Sequence, residues 1–127
     1  MNKIVVIGSG QAAVQFAVSL RRQEFQGSIK IIGEETHLPY QRPPLSKEFL
    51  LEEYKTERVV LKKLEFYENN NIDLILGEPA ESIHVNKREI NFHDGRIINY
   101  DKLILATGSR VRKLEVPGSD KAGIYYL

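Results

Sequence analysis

The chain has no cysteine. This excludes disulfides, thiolate nucleophiles, cysteine-ligated zinc and a redox-active dithiol from these residues. Histidine is scarce as well. His37, His84 and His93 are scattered without ligand spacing and read as surface or strand residues, so no metal site is expected. No apolar run is long enough to span a bilayer. Charge of one sign is also missing: 18 basic residues face 17 acidic ones, so no bulk field argues for nucleic acid or a membrane surface. A basic patch with interleaved aromatics is likewise absent. The first strand is expected from residue 3, which leaves no space for a signal peptide, and a cytoplasmic location is expected by default. At 127 residues the chain is one domain's worth, long enough for a real core. It shows no repeats, low-complexity tracts or interdomain linker, so one domain is expected over 1–127.

What is present is concentrated at the start. Ile4-Val5-Val6-Ile7 is a β-branched strand that runs into Gly8-Ser9-Gly10-Gln11-Ala12-Ala13. Ala13, Phe16, Ala17 and Leu20 then mark one face of an amphipathic helix, with Arg21 and Arg22 in its last turn. Gly27 opens the turn to a second β-branched run, Ile29-Lys30-Ile31-Ile32-Gly33, which ends on Glu34 and Glu35. This is the layout of a dinucleotide-binding βαβ unit. Gly8 permits the tight turn, and Gly10, without a Cβ, lets the backbone approach a pyrophosphate. The helix start aims unsatisfied N–H groups and a positive dipole end at the phosphates. Ala13 replaces the third glycine of the fingerprint with the smallest possible addition. A carboxylate at 34 or 35 can accept hydrogen bonds from ribose hydroxyls, and the acidic pair suits a ribose without a 2′-phosphate.

Further along, Pro39, Pro43 and Pro44 stiffen the loop after the acidic pair. Ser46 is placed to cap a short helix through about Leu51, with Glu48 in its first turn. Residues 52–58 read as an exposed connection. Leu61 to about Asn70 is expected to be a helix with Leu61, Leu64 and Tyr67 facing inward, followed by a buried strand, Ile72 to Leu76, stopped by Gly77. The period then changes to two: Ile83 and Val85, then Ile90 and Phe92, alternate with polar neighbours. Asp94-Gly95 supplies a hairpin turn before Ile97-Ile98. The expected fold is therefore α/β, a Rossmann-like parallel βαβ sheet with an inserted antiparallel meander. Tyr100 to Leu105 returns to an apolar strand and enters the turn Ala106-Thr107-Gly108-Ser109-Arg110. Pro117-Gly118 is a further turn, and Gly123 to Leu127 reads as the start of another strand.

Four elements carry a resemblance over the whole chain: Gly8-x-Gly10-x-x-Ala13, Tyr40-x-Arg42-Pro43-Pro44-Leu45-Ser46-Lys47, Leu64-Glu65-Phe66-Tyr67, and Ala106-Thr107-Gly108-Ser109-Arg110. Together they resemble the FAD-binding start of the ferredoxin reductase branch of pyridine nucleotide-dependent flavoprotein oxidoreductases, which includes putidaredoxin and rubredoxin reductases and dioxygenase reductase components. The resemblance implies that the turn Gly8, Gly10, Gln11, Ala12 and Ala13 holds the FAD pyrophosphate, and that Glu34 with Glu35 holds the adenosine ribose. It implies that Arg42 contacts the diphosphate side, and that Lys47 lies near the flavin edge, where a cation stabilises developing negative charge. The backbone near Ala80 would meet adenine, and Ala106, Thr107 and Gly108 would pack against the cofactor, with Arg110 following.

Members of that branch are much longer. The second glycine-rich unit, for NAD(P)H, and the C-terminal segment that closes over the flavin are not found in these residues. The chain is therefore expected to be part of a longer NAD(P)H-dependent reductase, which passes electrons through FAD to an iron–sulfur protein such as a ferredoxin or rubredoxin. The alternative is a non-catalytic adenine-dinucleotide-binding module or one piece of a split assembly. A sheet that lacks its last strand exposes an edge, so the chain alone is expected either to self-associate there or to hold FAD weakly.

Overall fold

The computed structural model describes residues 2–126. Its centre is a four-stranded parallel sheet. Strand β1 (Lys3–Ile7) pairs with β2 (Ser28–Gly33) on one side, and β3 (Ile72–Leu76) extends the sheet beyond β2. On the other side β1 pairs with β7 (Lys102–Leu105), giving the order β3-β2-β1-β7. The chain thus moves outward from β1 through β2 to β3 and later returns to the opposite flank of β1. A parallel sheet reverses its order at such a point, and a crevice opens beyond the carboxyl ends of the two diverging strands.

Helix α1 (Gln11–Arg22) crosses from β1 to β2. Its small residues Ala13 and Ala17 are fully buried and let the helix lie close to Val6, Ile29, Ile31 and Ile72 on one sheet face. Side chains alternate across a strand, so Val5 and Ile32 point to the opposite face. There they meet Ile90 and Phe92 of an antiparallel three-stranded sheet, β4 (Ala80–His84), β5 (Glu89–Phe92) and β6 (Ile97–Asn99), and Tyr100 just beyond it. Each fully buried Ile or Val contributes roughly 1.5–3 kcal/mol, so these two layers fix the central sheet. The β5–β6 connection is the expected hairpin: Gly95 has φ +85° and donates its N–H to the Phe92 carbonyl at 3.0 Å. At the far end Asp101 binds back to Lys3, its carboxylate accepting the Lys3 N–H at 2.7 Å and its own N–H donating to the Lys3 carbonyl at 2.9 Å.

The segment between β2 and β3 departs from expectation. Instead of a helix capped by Ser46, a 3-10 turn runs over Pro43–Ser46, with the prolines at its first positions and Ser46 at its end. Lys47 then leaves helical space (φ −131°, ψ −110°) and the chain continues as hydrogen-bonded turns. The connection 52–58 is exposed but ends in a short helix, α2 (Thr56–Val59), which buries Val59. Helix α3 is shorter than expected, Leu64–Asn69. Residues 59–61 pair with 39–41 instead: Gln41 donates to the Val59 carbonyl at 2.7 Å, Leu61 to the Pro39 carbonyl at 2.9 Å, and Tyr40 bridges Val60. Tyr67 faces inward as expected, Leu61 is half-buried, but Leu64 is 50% exposed. Val85 leaves the meander as well, standing 73% exposed in the turn after β4. Residues 123–126 form no strand; Gly123 has φ +92°, and Leu127 lies outside the described residues.

Arg21 ties this segment to the sheet. Its guanidinium donates to the carbonyls of Phe25, Gly27, Asn70 and Asn71, which joins the α1–β2 turn to the α3–β3 turn. Replacing Arg21 with Met is expected to lower stability by about 2 kcal/mol in urea denaturation, because several charge-assisted bonds are lost together; an unchanged midpoint would contradict this role. Tyr67 presents the opposite case. Its side chain is 1% exposed, its hydroxyl has no partner among the described residues, and burial pushes the phenol up to about 12. Tyr67→Phe should therefore be neutral or stabilising by up to about 1 kcal/mol in the same assay.

Candidate functional site

A groove of about 550 Å³ opens at the reversal point between β1 and β7. It is lined by the glycine turn after β1, the end of β2, the start of β4 and the loop after β7. Its floor depends on Gly8, at φ +110°, whose N–H donates to the Ile32 carbonyl at 2.8 Å. A Cβ there would lie 2.1 Å from the carbonyl oxygen of Ala106. Ala106 in turn donates its N–H to the Ile7 carbonyl at 2.8 Å. Only a residue without a side chain lets these two turns touch. A similar approach fixes Gly33, where a Cβ would meet the Ser9 side chain.

Gly10 differs. It is the N-cap of α1 with φ −87°, and a Cβ built on it would meet nothing within 4 Å. It keeps space open in front of the helix. No side chain caps that end, and its first turn holds no acid. The first bond back to the cap is Val14 N–H to the Gly10 carbonyl, 3.2 Å. The N–H groups of Gln11, Ala12 and Ala13 therefore have no acceptor within the helix, at the end whose cap, Gly10, lines the groove, an arrangement that favours an anion.

The opposite wall is held by the loop after β3. Gly77 (φ +75°) donates to the Glu35 carbonyl at 2.9 Å and Glu78 to the Gly33 carbonyl at 3.1 Å, which brings Pro79 and Ala80 to the groove. Glu34 is exposed, with Arg110 from the loop after β7 at 3.3 Å from Oε2. Glu35 is more engaged. The Tyr40 hydroxyl donates to its Oε2 and Arg42 Nη2 to its Oε1, both at 2.7 Å. The bond from Tyr40, then that from Arg42, hold the Glu35 carboxyl below its ordinary range. Burial and the bond to Glu35 push the Tyr40 phenol up. A carboxylate held low stabilises the fold at neutral pH and loses that contribution as pH falls through its lowered value. The Glu35–Arg42 side chains are 39% and 61% exposed, so solvent limits this to at most about 1 kcal/mol.

Of the residues expected at a site, Gly8, Gly10, Glu34, Glu35, Arg42, Ala80, Ala106, Thr107, Gly108 and Arg110 line one groove. Gln11 and Ala12 lie on the exposed start of α1, and Ala13 is buried under it. Lys47 does not line the groove; it is exposed on the following loop, with Nζ 3.4 Å from the Pro43 carbonyl. Ile7, Ser9, Ile32, Pro79 and Ser109 also line the groove without having been expected as site residues. Their type carried no chemical signal, only their adjacency in sequence to residues that were expected. Among the described residues no cluster of His, Cys, Asp or Glu could hold a metal, and no helix is long and apolar enough to cross a membrane.

Fold and groove define the class, a Rossmann-like α/β fold with a crevice at the reversal of its parallel sheet. Within it, the chain belongs to the pyridine nucleotide-disulphide oxidoreductase family, whose profile matches residues 2–127. It is 44% identical to rhodocoxin reductase of Rhodococcus erythropolis over 124 residues, which cover 98% of this chain and 29% of that protein. It is 45% identical to rubredoxin-NAD(+) reductase of Ectopseudomonas oleovorans over 124 residues, covering 98% and 32%. The crystal structure of a covalent putidaredoxin reductase–putidaredoxin complex superposes with a TM-score of 0.87 at 34% identity, over 95% of this chain and 28% of that one. The chain thus spans under a third of the length of the relatives it matches.

The two glycines of the turn should separate in mutagenesis. Gly8→Ala, strained at positive φ and colliding with backbone, is expected to cost about 3 kcal/mol or to abolish folding. Gly10→Ala should leave the thermal midpoint nearly unchanged. Equal destabilisation by the two, measured by circular dichroism melting, would contradict the distinct roles assigned to them.

Proposed function

We propose that this chain is the FAD-binding portion of an NAD(P)H-dependent flavoprotein reductase whose electrons go to a ferredoxin- or rubredoxin-like iron–sulfur protein. The observation that carries this reading is the convergence, in one groove, of an uncapped helix start kept open by Gly10, two arginines and the exposed carboxylate Glu34. Such a site suits a pyrophosphate joined to a ribose. The names of the relatives, reductases of rhodocoxin and rubredoxin, support the choice of reaction and of acceptor. The two sheets packed about one core also fit a single domain; a cytoplasmic location belongs to the same proposal.

In this reading the N–H groups of Gln11, Ala12 and Ala13, with Gly8 and Gly10 leaving room, hold the pyrophosphate. Glu34 accepts the ribose hydroxyls, Ala80 meets adenine through its backbone, and Arg42 and Arg110 supply positive charge. Ala106, Thr107 and Gly108 form the wall against the cofactor, and Lys47 is the cation at its flavin end. Bound FAD would supply the step between two-electron NAD(P)H and one-electron acceptors, while the protein orients it and sets its electrostatics. A weakly binding, non-catalytic module is the second reading, and the groove's exposed acidic and cationic walls favour it for these residues alone. β7 is an edge strand and Leu105 on it is 64% exposed, which supports self-association of the chain through that edge.

The test is a titration of the purified chain with FAD, followed by flavin fluorescence, beside a Gly10→Val variant. Saturable one-to-one binding that Gly10→Val weakens at least tenfold, with an unchanged melting temperature, is expected. Failure of the wild-type chain to bind, or equal binding by the variant, would contradict the assignment of this groove.

A further inference from the structure

Glu34 and Glu35 are neighbours in sequence, and both line the groove. Their surroundings separate them. Glu34 has one long contact, 3.3 Å, with an arginine that is itself 88% exposed. Each oxygen of Glu35 already accepts a short bond, one from Tyr40 and one from Arg42. Arg42 closes the ring: its Nη1 donates to the Tyr40 hydroxyl at 3.0 Å, and its guanidinium carbon stands 5.0 Å from the centroid of the Tyr40 ring. Tyr40 is itself anchored. Pro39 before it is fully buried, and 39–41 pair with 59–61 through two backbone hydrogen bonds that flank the Tyr40–Val60 bridge. The bracket is thus built on a fixed stretch of chain.

We infer that Glu35 and Tyr40 are positioning residues, which hold the Arg42 guanidinium in place as the groove's fixed cation for a phosphate-bearing ligand, and that Glu35 is not a sugar-binding carboxylate. The inference deepens the dinucleotide reading above and rests on it. An arginine that is already immobilised has little conformational freedom left to lose when an anion arrives. The bracket carries an electrostatic penalty, because the negative charge of Glu35 offsets part of the field of Arg42. The two effects have opposite signs. If charge alone mattered, neutralising Glu35 would tighten phosphate binding; if position matters, it weakens it.

The experiment compares ADP with adenosine by calorimetric titration of wild type, Glu35→Gln, Tyr40→Phe, Arg42→Ala and Tyr40→Phe/Arg42→Ala. Arg42→Ala is expected to weaken ADP about tenfold and leave adenosine unchanged, as for a lost charge-assisted contact. Glu35→Gln and Tyr40→Phe should each weaken ADP roughly fivefold, again without effect on adenosine, the order of one hydrogen bond. Tyr40→Phe should add nothing once Arg42 is gone. Tighter ADP binding by Glu35→Gln, parallel losses for adenosine, or additive losses in the double variant would overturn the inference. A second readout needs no ligand: side-chain 15N NMR of the free chain should show slow rotation of the Arg42 guanidinium, released in Tyr40→Phe. Rotation in the wild type as fast as that of the exposed Arg88 would overturn it. Failure of the wild type to bind ADP or FAD would fall on the dinucleotide reading instead, and the NMR result would still decide the bracket.

Discussion

Everything at the groove depends on one close approach, the backbone of Gly8 against the carbonyl of Ala106. A side chain at position 8 would occupy the space of that carbonyl. The contact is flanked by two hydrogen bonds, Gly8 to Ile32 and Ala106 to Ile7, so the ends of β1, β2 and β7 are locked at one point. From there three walls diverge: the start of α1, the acidic end of β2, and the loop 106–110. The reversal of strand order makes the crevice, and the glycine contact brings the backbones of two turns together at its floor.

The chemistry of the groove follows from how its charges are arranged. The helix start offers N–H donors without a competing acid in its first turn, so its partial positive charge is unopposed. Acids and arginines lie on the other walls, and they are not equivalent. Glu35, Tyr40 and Arg42 satisfy one another, whereas Glu34 and Arg110 reach across the groove through a single 3.3 Å contact between exposed side chains. A bracketed cation beside a loosely held carboxylate is suited to a phosphate next to a sugar. The absence of cysteine is consistent with this division, since the residues at hand offer binding and electrostatics and no dithiol chemistry of their own.

Much of this was legible in the sequence where the determinants are local. The run Ile4 to Ile7, the glycine spacing, the Ala13/Ala17 face and the second β-branched run each specify their own element, and all four formed as read. The meander was legible for the same reason, through a period of two and an Asp-Gly turn. The segment 43–64 was not, for two reasons: residues 59–61 find their backbone partners some twenty residues away, and 43–54 close into irregular local turns without a helical period. Residues 59–61 pair with 39–41, so the helix expected from Leu61 begins only at Leu64, and Leu64 turns outward. Two prolines in a row favoured a tight 3-10 turn over a helix capped by Ser46. The unequal roles of Glu34 and Glu35 were also hidden, since adjacent carboxylates look alike until Tyr40 and Arg42 are folded against one of them. Lys47, named by the motif for the flavin edge, lies outside this groove on the loop after the 3-10 turn.

The most direct measurement is an amide chemical-shift map of the 15N-labelled chain titrated with ADP. The account predicts that the largest shifts fall on Gly8, Gly10, Gln11, Ala12, Glu34, Ala80, Thr107 and Gly108, the three walls that meet at the glycine contact. A map centred instead on the hollow at the other end of the sheet, around Arg21, Gly27 and Asn70, would contradict it.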